Sequence, residues 1–123
     1  MKTTTLQLLP TTSFGTPSGN YDGSSLDWSG DPQQAADYYG GFGTLQTVAI
    51  FLNLFQGLIK IEASLDTTPT SDSQWFKVYE FDSTDSTATT NNFSINITGN
   101  FTWIRTNVEG FDGGSIEKIM MSY

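Results

Sequence analysis

Cysteine and histidine are both missing from this 123-residue chain, and lysine and arginine together number five. Without cysteine there is no disulfide framework and no thiolate metal site; without histidine, the commonest general base and the commonest metal ligand are gone. Most hydrolase and zinc chemistry is thereby excluded, leaving carboxylates or calcium, and either requires acidic side chains to converge in space. Thirteen acidic residues against the five basic ones give a net charge of −8, which repels phosphate backbones and anionic lipid. Neither nucleic acid nor a membrane is expected as a partner. No apolar run approaches the roughly 20 residues of a membrane span, and residues 1–10 hold one lysine and too short an apolar block for a secretory signal. The expectation is a protein made and folded in a cytosol without processing, with no cofactor.

What is present favours sheet. Thr, Ser, Gly and Asn are abundant and aromatics reach 14%, a balance that suits pleated strands and turns better than helix. The length fits a single domain spanning 1–123, with a loop-rich part over 1–43 and a sandwich core over 44–123. Residues 57–65 alternate with period two: Ile59, Ile61, Ala63 and Leu65 share one side of a strand, and Lys60, Glu62 and Ser64 the other. Residues 44–52 read as the preceding strand, joined to it through 53–57 in an antiparallel hairpin. Strands are also expected over 75–81, 93–98, 101–108 and 115–123, with Gly99-Asn100 as a two-residue hairpin turn and 109–114 as a glycine-rich turn. Residues 3–9, ended by Pro10, suit a sheet edge. From 11 to 30 glycine and proline come too often for continuous structure, although residues 25–28 fit a short strand. Asp31 as N-cap and Pro32 at the first helical position predict one short helical turn near residues 32–38, ended by Gly40, Gly41 and Gly43. The fold class expected is all-β, an antiparallel two-sheet sandwich of about seven or eight strands.

No catalytic constellation emerges. Trp28, Trp75 and Trp103, with Tyr38, Tyr39, Tyr79 and Phe81, offer flat faces of the kind that stack on sugar rings, but the same side chains suit the core and sheet ends of a small sandwich. Arg105, the single arginine, lies inside a strand, where its fork is expected to pin a carboxylate across the sheet. The loop pairs Asp66 and Asp72, Asp82 and Asp85, and Glu109 and Asp112 are the calcium candidates; no D-x-D-x-D-G spacing accompanies them, so no metal site is expected. Asn92-Phe93-Ser94, Asn96-Ile97-Thr98 and Asn100-Phe101-Thr102 match the N-glycosylation pattern, to which the absence of a secretory signal gives no use.

The succession of Gly43-Thr44-Leu45-Gln46-Thr47-Val48, the 57–65 strand, Thr68-Pro69 followed by Trp75-Phe76, Thr98-Gly99-Asn100-Phe101-Thr102-Trp103-Ile104-Arg105, and Gly114-Ser115-Ile116-Glu117-Lys118-Ile119 resembles small β-sandwich virion proteins of tailed phages, marine and cyanobacterial ones in particular. The likeness covers about 44–123 and leaves 1–43 uncovered. It implies a jelly-roll-like sandwich with no catalytic activity, most simply a capsid decoration or cement protein bound to the major capsid protein lattice. The chain would then be synthesised in the host cytoplasm and end in the virion, with phage structural proteins as partners. A homo-oligomer is expected, because lattice sites are symmetric and sheet edges must be covered. The alternative is a tail fibre, neck or baseplate module that binds a host-surface glycan or receptor. The candidate partner interface is the set of aromatics expected to be exposed in the N-terminal third: Phe14, Tyr21, Trp28, Tyr38 and Tyr39.

Overall fold

Strands in globular proteins seldom exceed about 10 residues, yet two strands here have 20 each: β5 (Leu45–Ser64) and β8 (Trp103–Ser122). The structure, a computed structural model, describes residues 5–38, 44–84 and 88–123. β5 and β8 pair antiparallel along nearly their whole length, from Thr47 opposite Ser122 to Ser64 opposite Trp103. Straight, such a strand would separate its ends by about 65 Å. Instead the Gly99 N–H donates to the Thr44 carbonyl (2.7 Å) and the Thr102 N–H to the Ser64 carbonyl (3.0 Å). Both ends of β5 are therefore held by one four-residue link that spans at most about 11 Å, so the strand pair is folded back on itself.

The fold-back comes from bulges. The β5–β8 register shifts between Phe51 and Leu52, between Asn53 and Gln56, and between Gln56 and Leu58. Each extra residue bends its strand and steepens the twist. Two layers result. In the first, β7 (Thr89–Thr98), the first half of β5, the last third of β8 and β1 (Thr5–Leu9) lie side by side. In the second, β6 (Phe76–Asp82), the second half of β5 and the first third of β8 are joined by β3 (Trp28–Ser29) and β4 (Gln33–Gln34), while β2 (Thr12–Ser13) pairs with β8 at Ser115 and Ile116. All pairings are antiparallel and the assembly is sandwich-like and open, in agreement with the expected all-β class.

Alternation fills the space between the layers. Val48, Ile50 and Leu52 of β5 face inward before the bend, and Ile59, Ile61 and Ala63 after it; Ile104, Val108, Ile116, Ile119 and Met121 do the same along β8. Each fully buried branched side chain contributes about 1.5–3 kcal/mol. Phe55 and Phe111 stack at the bend, ring centroids 5.7 Å apart, and fill the corner that the bulges open. The N-terminal segment is anchored by a buried glutamine: Gln46 donates through Nε2 to the Ile97 carbonyl (2.8 Å) and accepts at Oε1 from the Ala36 N–H (3.1 Å).

Four local expectations are corrected. Residues 53–57 form no hairpin, because β5 bends at them but continues as one strand, and both of its halves pair with β8. The glycines of 109–114 likewise lie within β8 and supply its bend. Gly99-Asn100 belongs to a link between layers: β7 pairs with β5, and β8 begins in the other layer beside Ser64. The helical turn near 32–38 is not formed. Gln33 and Gln34 pair with Ile104 and Trp103, and a single turn closes with the Tyr38 N–H on the Ala35 carbonyl (3.0 Å). The open edge of β8 offers these residues immediate backbone partners, whereas a seven-residue segment cannot nucleate a stable helix alone. β1 does occupy an edge, pairing with β8 alone among the described strands.

Candidate interaction surfaces

At the bend the chain exposes large apolar side chains. Phe14 is 47% exposed, Leu26 54% and Leu54 59%, and all three attach to the same stretch of β8. The Phe14 N–H donates to the Gly114 carbonyl (2.9 Å) and its ring meets Phe111 edge-on at 5.7 Å. The Leu26 carbonyl accepts from the Phe111 N–H (3.0 Å). Leu54 lies against Gly114, where a Cβ would fall 2.1 Å from the leucine carbonyl oxygen. Among the described residues Leu54 is the one non-glycine with positive φ, at 55°. That conformation costs a leucine roughly 1–2 kcal/mol, and here no burial of the side chain offsets it.

The loop that presents Leu26 is held by Asp22. Its carboxylate accepts from the Ser25 hydroxyl (2.7 Å) and from the Ser24 and Ser25 N–H groups (2.9 and 2.7 Å). The Ser25 hydroxyl, followed by the two amides, lowers the Asp22 pKa to about 2. Across the bend the Gly110 N–H donates to Asp27 Oδ1 (3.0 Å), and the Thr84 hydroxyl and N–H hold the Asp82 pKa below its ordinary value. Leu26, Gln56, Gly57, Thr84, Gly110 and Asp112 line a recess of about 350 Å³ between these loops. Among the described residues no three acidic side chains come together as a metal-binding group.

The opposite end carries a second apolar recess, of about 290 Å³, lined by Pro32, Thr68, Pro69 and Trp103. The Trp103 Nε1–H donates to the Thr67 carbonyl (3.0 Å), which fixes the indole, and Tyr38 meets it edge-on at 5.1 Å. On the outer face of the second layer the charges are paired. Arg105 Nε donates to Glu62 Oε1 (2.7 Å) directly across the β5–β8 ladder, and the Trp75 ring lies 4.6 Å from the guanidinium carbon. Lys60 bonds Glu109 (3.0 Å), an interaction that raises the lysine pKa, and Lys77 bonds Glu80 (2.9 Å). Arg105 is thus an ion-pair residue of the sheet, as its position inside a strand suggests.

No protein-family model, curated protein or solved structure matches the chain.

Of the aromatics expected at an exposed interface, Phe14 is exposed, Tyr38 is half-buried against Trp103, and Tyr39 lies outside the described residues. Tyr21 and Trp28 are corrected: they are 1% and 8% exposed and belong to the core. Their rings pack 5.3 Å apart and both contact Phe111, making the inner wall that supports the bend. A loop with so many glycines has few ways to hold its course, and two large buried rings supply the anchorage. Leu26 and Leu54 escape a reading by periodicity, since each lies where alternation is interrupted, in a loop and in a bulge. The sole sequence cue is the leucine between Asn53 and Phe55, two apolar residues in succession just ahead of Gly57.

Proposed function

We propose that the chain is a structural protein of a tailed-phage virion without catalytic activity, a decoration or cement protein that seats on the major capsid protein lattice. The observation that carries this reading is Leu54. A leucine in a left-handed conformation with its side chain in solvent is favoured neither by backbone preference nor by burial within the chain, and strain of that kind is retained where function requires it. A neighbouring subunit covering Leu54, together with Phe14 and Leu26, accounts for all three. Apolar contact of this kind is insensitive to ionic strength, which leaves the net charge of −8 free to serve solubility. The resemblance of residues 44–123 to small virion sandwiches supplies the class of assembly.

Quantitative protein gels of purified particles test the proposal. A copy number comparable with that of the major capsid protein is the expected result, and absence from the particle would refute it. A second reading, a tail fibre, neck or baseplate module that binds a host-surface glycan, is favoured by one feature, the Trp103 recess with its fixed indole and two prolines. A copy number of a few dozen, with glycan binding lost on Trp103→Ala, would support that reading instead.

A further inference from the structure

Sheet edges invite pairing, and most edges here carry something that discourages it. β1 is short, bulged between Gln7 and Leu9, and followed by Pro10. β6 carries Lys77 and Glu80 and faces a register shift at Ile61 and Glu62. β7 has one register shift, at its start opposite Leu52 and Phe55, and none of the other devices. Its ten residues, Thr89–Thr98, include no charge, no proline and no glycine, and no charged residue occurs anywhere between Asp85 and Arg105. Its eight-residue run from Leu45 to Leu52 against β5 is free of register shifts, and among the described residues β7 pairs with β5 alone. Every second N–H and C=O along its other side is left pointing away from the sheet.

We infer that β7 is the seam of a homodimer, in which two copies pair β7 to β7 antiparallel and extend the first layer across a two-fold axis. A second copy is the occupant favoured by charge. Two chains of −8 repel each other wherever their acidic loops approach, and an uncharged edge is where that repulsion is weakest. The side chains are also self-complementary. The two-fold axis stands perpendicular to the sheet, so each residue must oppose one on the same face. Centring the axis on Ser94 satisfies this: Ser94 meets Ser94 of the second copy, Asn92 meets Asn96, and Thr90 meets Thr98 on the solvent side. Phe93 meets Ile95 on the core side, where both are already part-buried and packed on the core. Hydroxyl and amide pairs of this kind stabilise antiparallel ladders without charge. The inference concerns the chain itself and holds whether or not it decorates a capsid.

Sedimentation equilibrium of the purified chain is expected to give twice the 13.5 kDa of one copy, with association strengthened by added salt as the repulsion is screened. The double variant Asn92→Lys/Ser94→Lys, at two exposed positions, should sediment as a monomer and remain folded, with a cooperative thermal transition. Because the chain has no cysteine, single introduced thiols give an independent reading. Residues directly opposite in the ladder have Cβ atoms about 5 Å apart, so Ser94→Cys should oxidise to a linked dimer whereas Thr5→Cys, on the β1 edge, should not. A wild-type monomer throughout the concentration range, a dimer that survives the double lysine variant, or cross-linking no greater at position 94 than at position 5 would each overturn the inference.

Discussion

Thr106 faces the core from β8, fully buried, and its hydroxyl has no hydrogen-bond partner among the described residues. A buried polar group left unpaired costs about 1–3 kcal/mol, and valine has the same shape without the hydroxyl. Thr106→Val should therefore raise stability by about 1 kcal/mol, read from the urea midpoint; a loss of stability would show that the hydroxyl is satisfied. Asp22 gives the acid-side prediction. Its folded-state pKa of about 2 lies below the ordinary 3.8, because the Ser25 hydroxyl and the neighbouring amides favour the carboxylate. The stability this confers is complete above pH 3.8 and is lost as pH falls through about 2. Asp22→Asn should then be less stable than wild type at neutral pH and converge with it below pH 2, and a carboxyl NMR titration should place the Asp22 midpoint near 2.

The two bent strands depend on glycines that differ in how closely they are surrounded. Gly114 has φ 72°, and a Cβ there would fall 2.1 Å from the Leu54 carbonyl oxygen and 2.3 Å from its carbon, both rigid backbone atoms. Gly15 has φ 86° with nothing within 4 Å. Gly114→Ala should cost on the order of 3 kcal/mol or more, since β5 and β8 must separate at the bend, while Gly15→Ala should cost about 1–2 kcal/mol from backbone conformation alone. Equal costs in thermal melts would show that the close approach at Gly114 is unimportant. The same bend limits what the sequence discloses. Residues 59–63 and 93–97 alternate cleanly, and their inward faces follow from that alternation. At 53–57 and 110–114 the bulges break the parity, and glycine makes a continuous strand look like a turn. The β-sandwich class is therefore legible, but the path of the chain through it is not. Gly99-Asn100 has the composition of a hairpin turn, and whether it joins neighbours or crosses between layers depends on where β7 finds its partner, which is a long-range matter.

For the molecule as a whole, different faces carry different surface chemistry. The bend exposes Phe14, Leu26 and Leu54; the outer face of the second layer carries paired charges; β7 has no charge at all. The burial of Tyr21 and Trp28 against Phe111 shows why the candidate interface was only partly legible: aromatic content in a loop is read from sequence, but which rings turn inward is decided by the bend they must support. Leu54 separates a docking role from a structural one, because asparagine tolerates positive φ better than leucine and has no apolar surface to offer. The decisive measurement is saturation binding of Leu54→Asn and wild type to particles stripped of the protein, with unfolding followed in parallel. If the chain decorates a capsid through this surface, wild type binds at a fixed ratio to the major capsid protein, and the variant binds at least tenfold more weakly although it unfolds at an equal or higher urea concentration. Wild type that does not bind, or a variant that binds as tightly as wild type, would contradict that role.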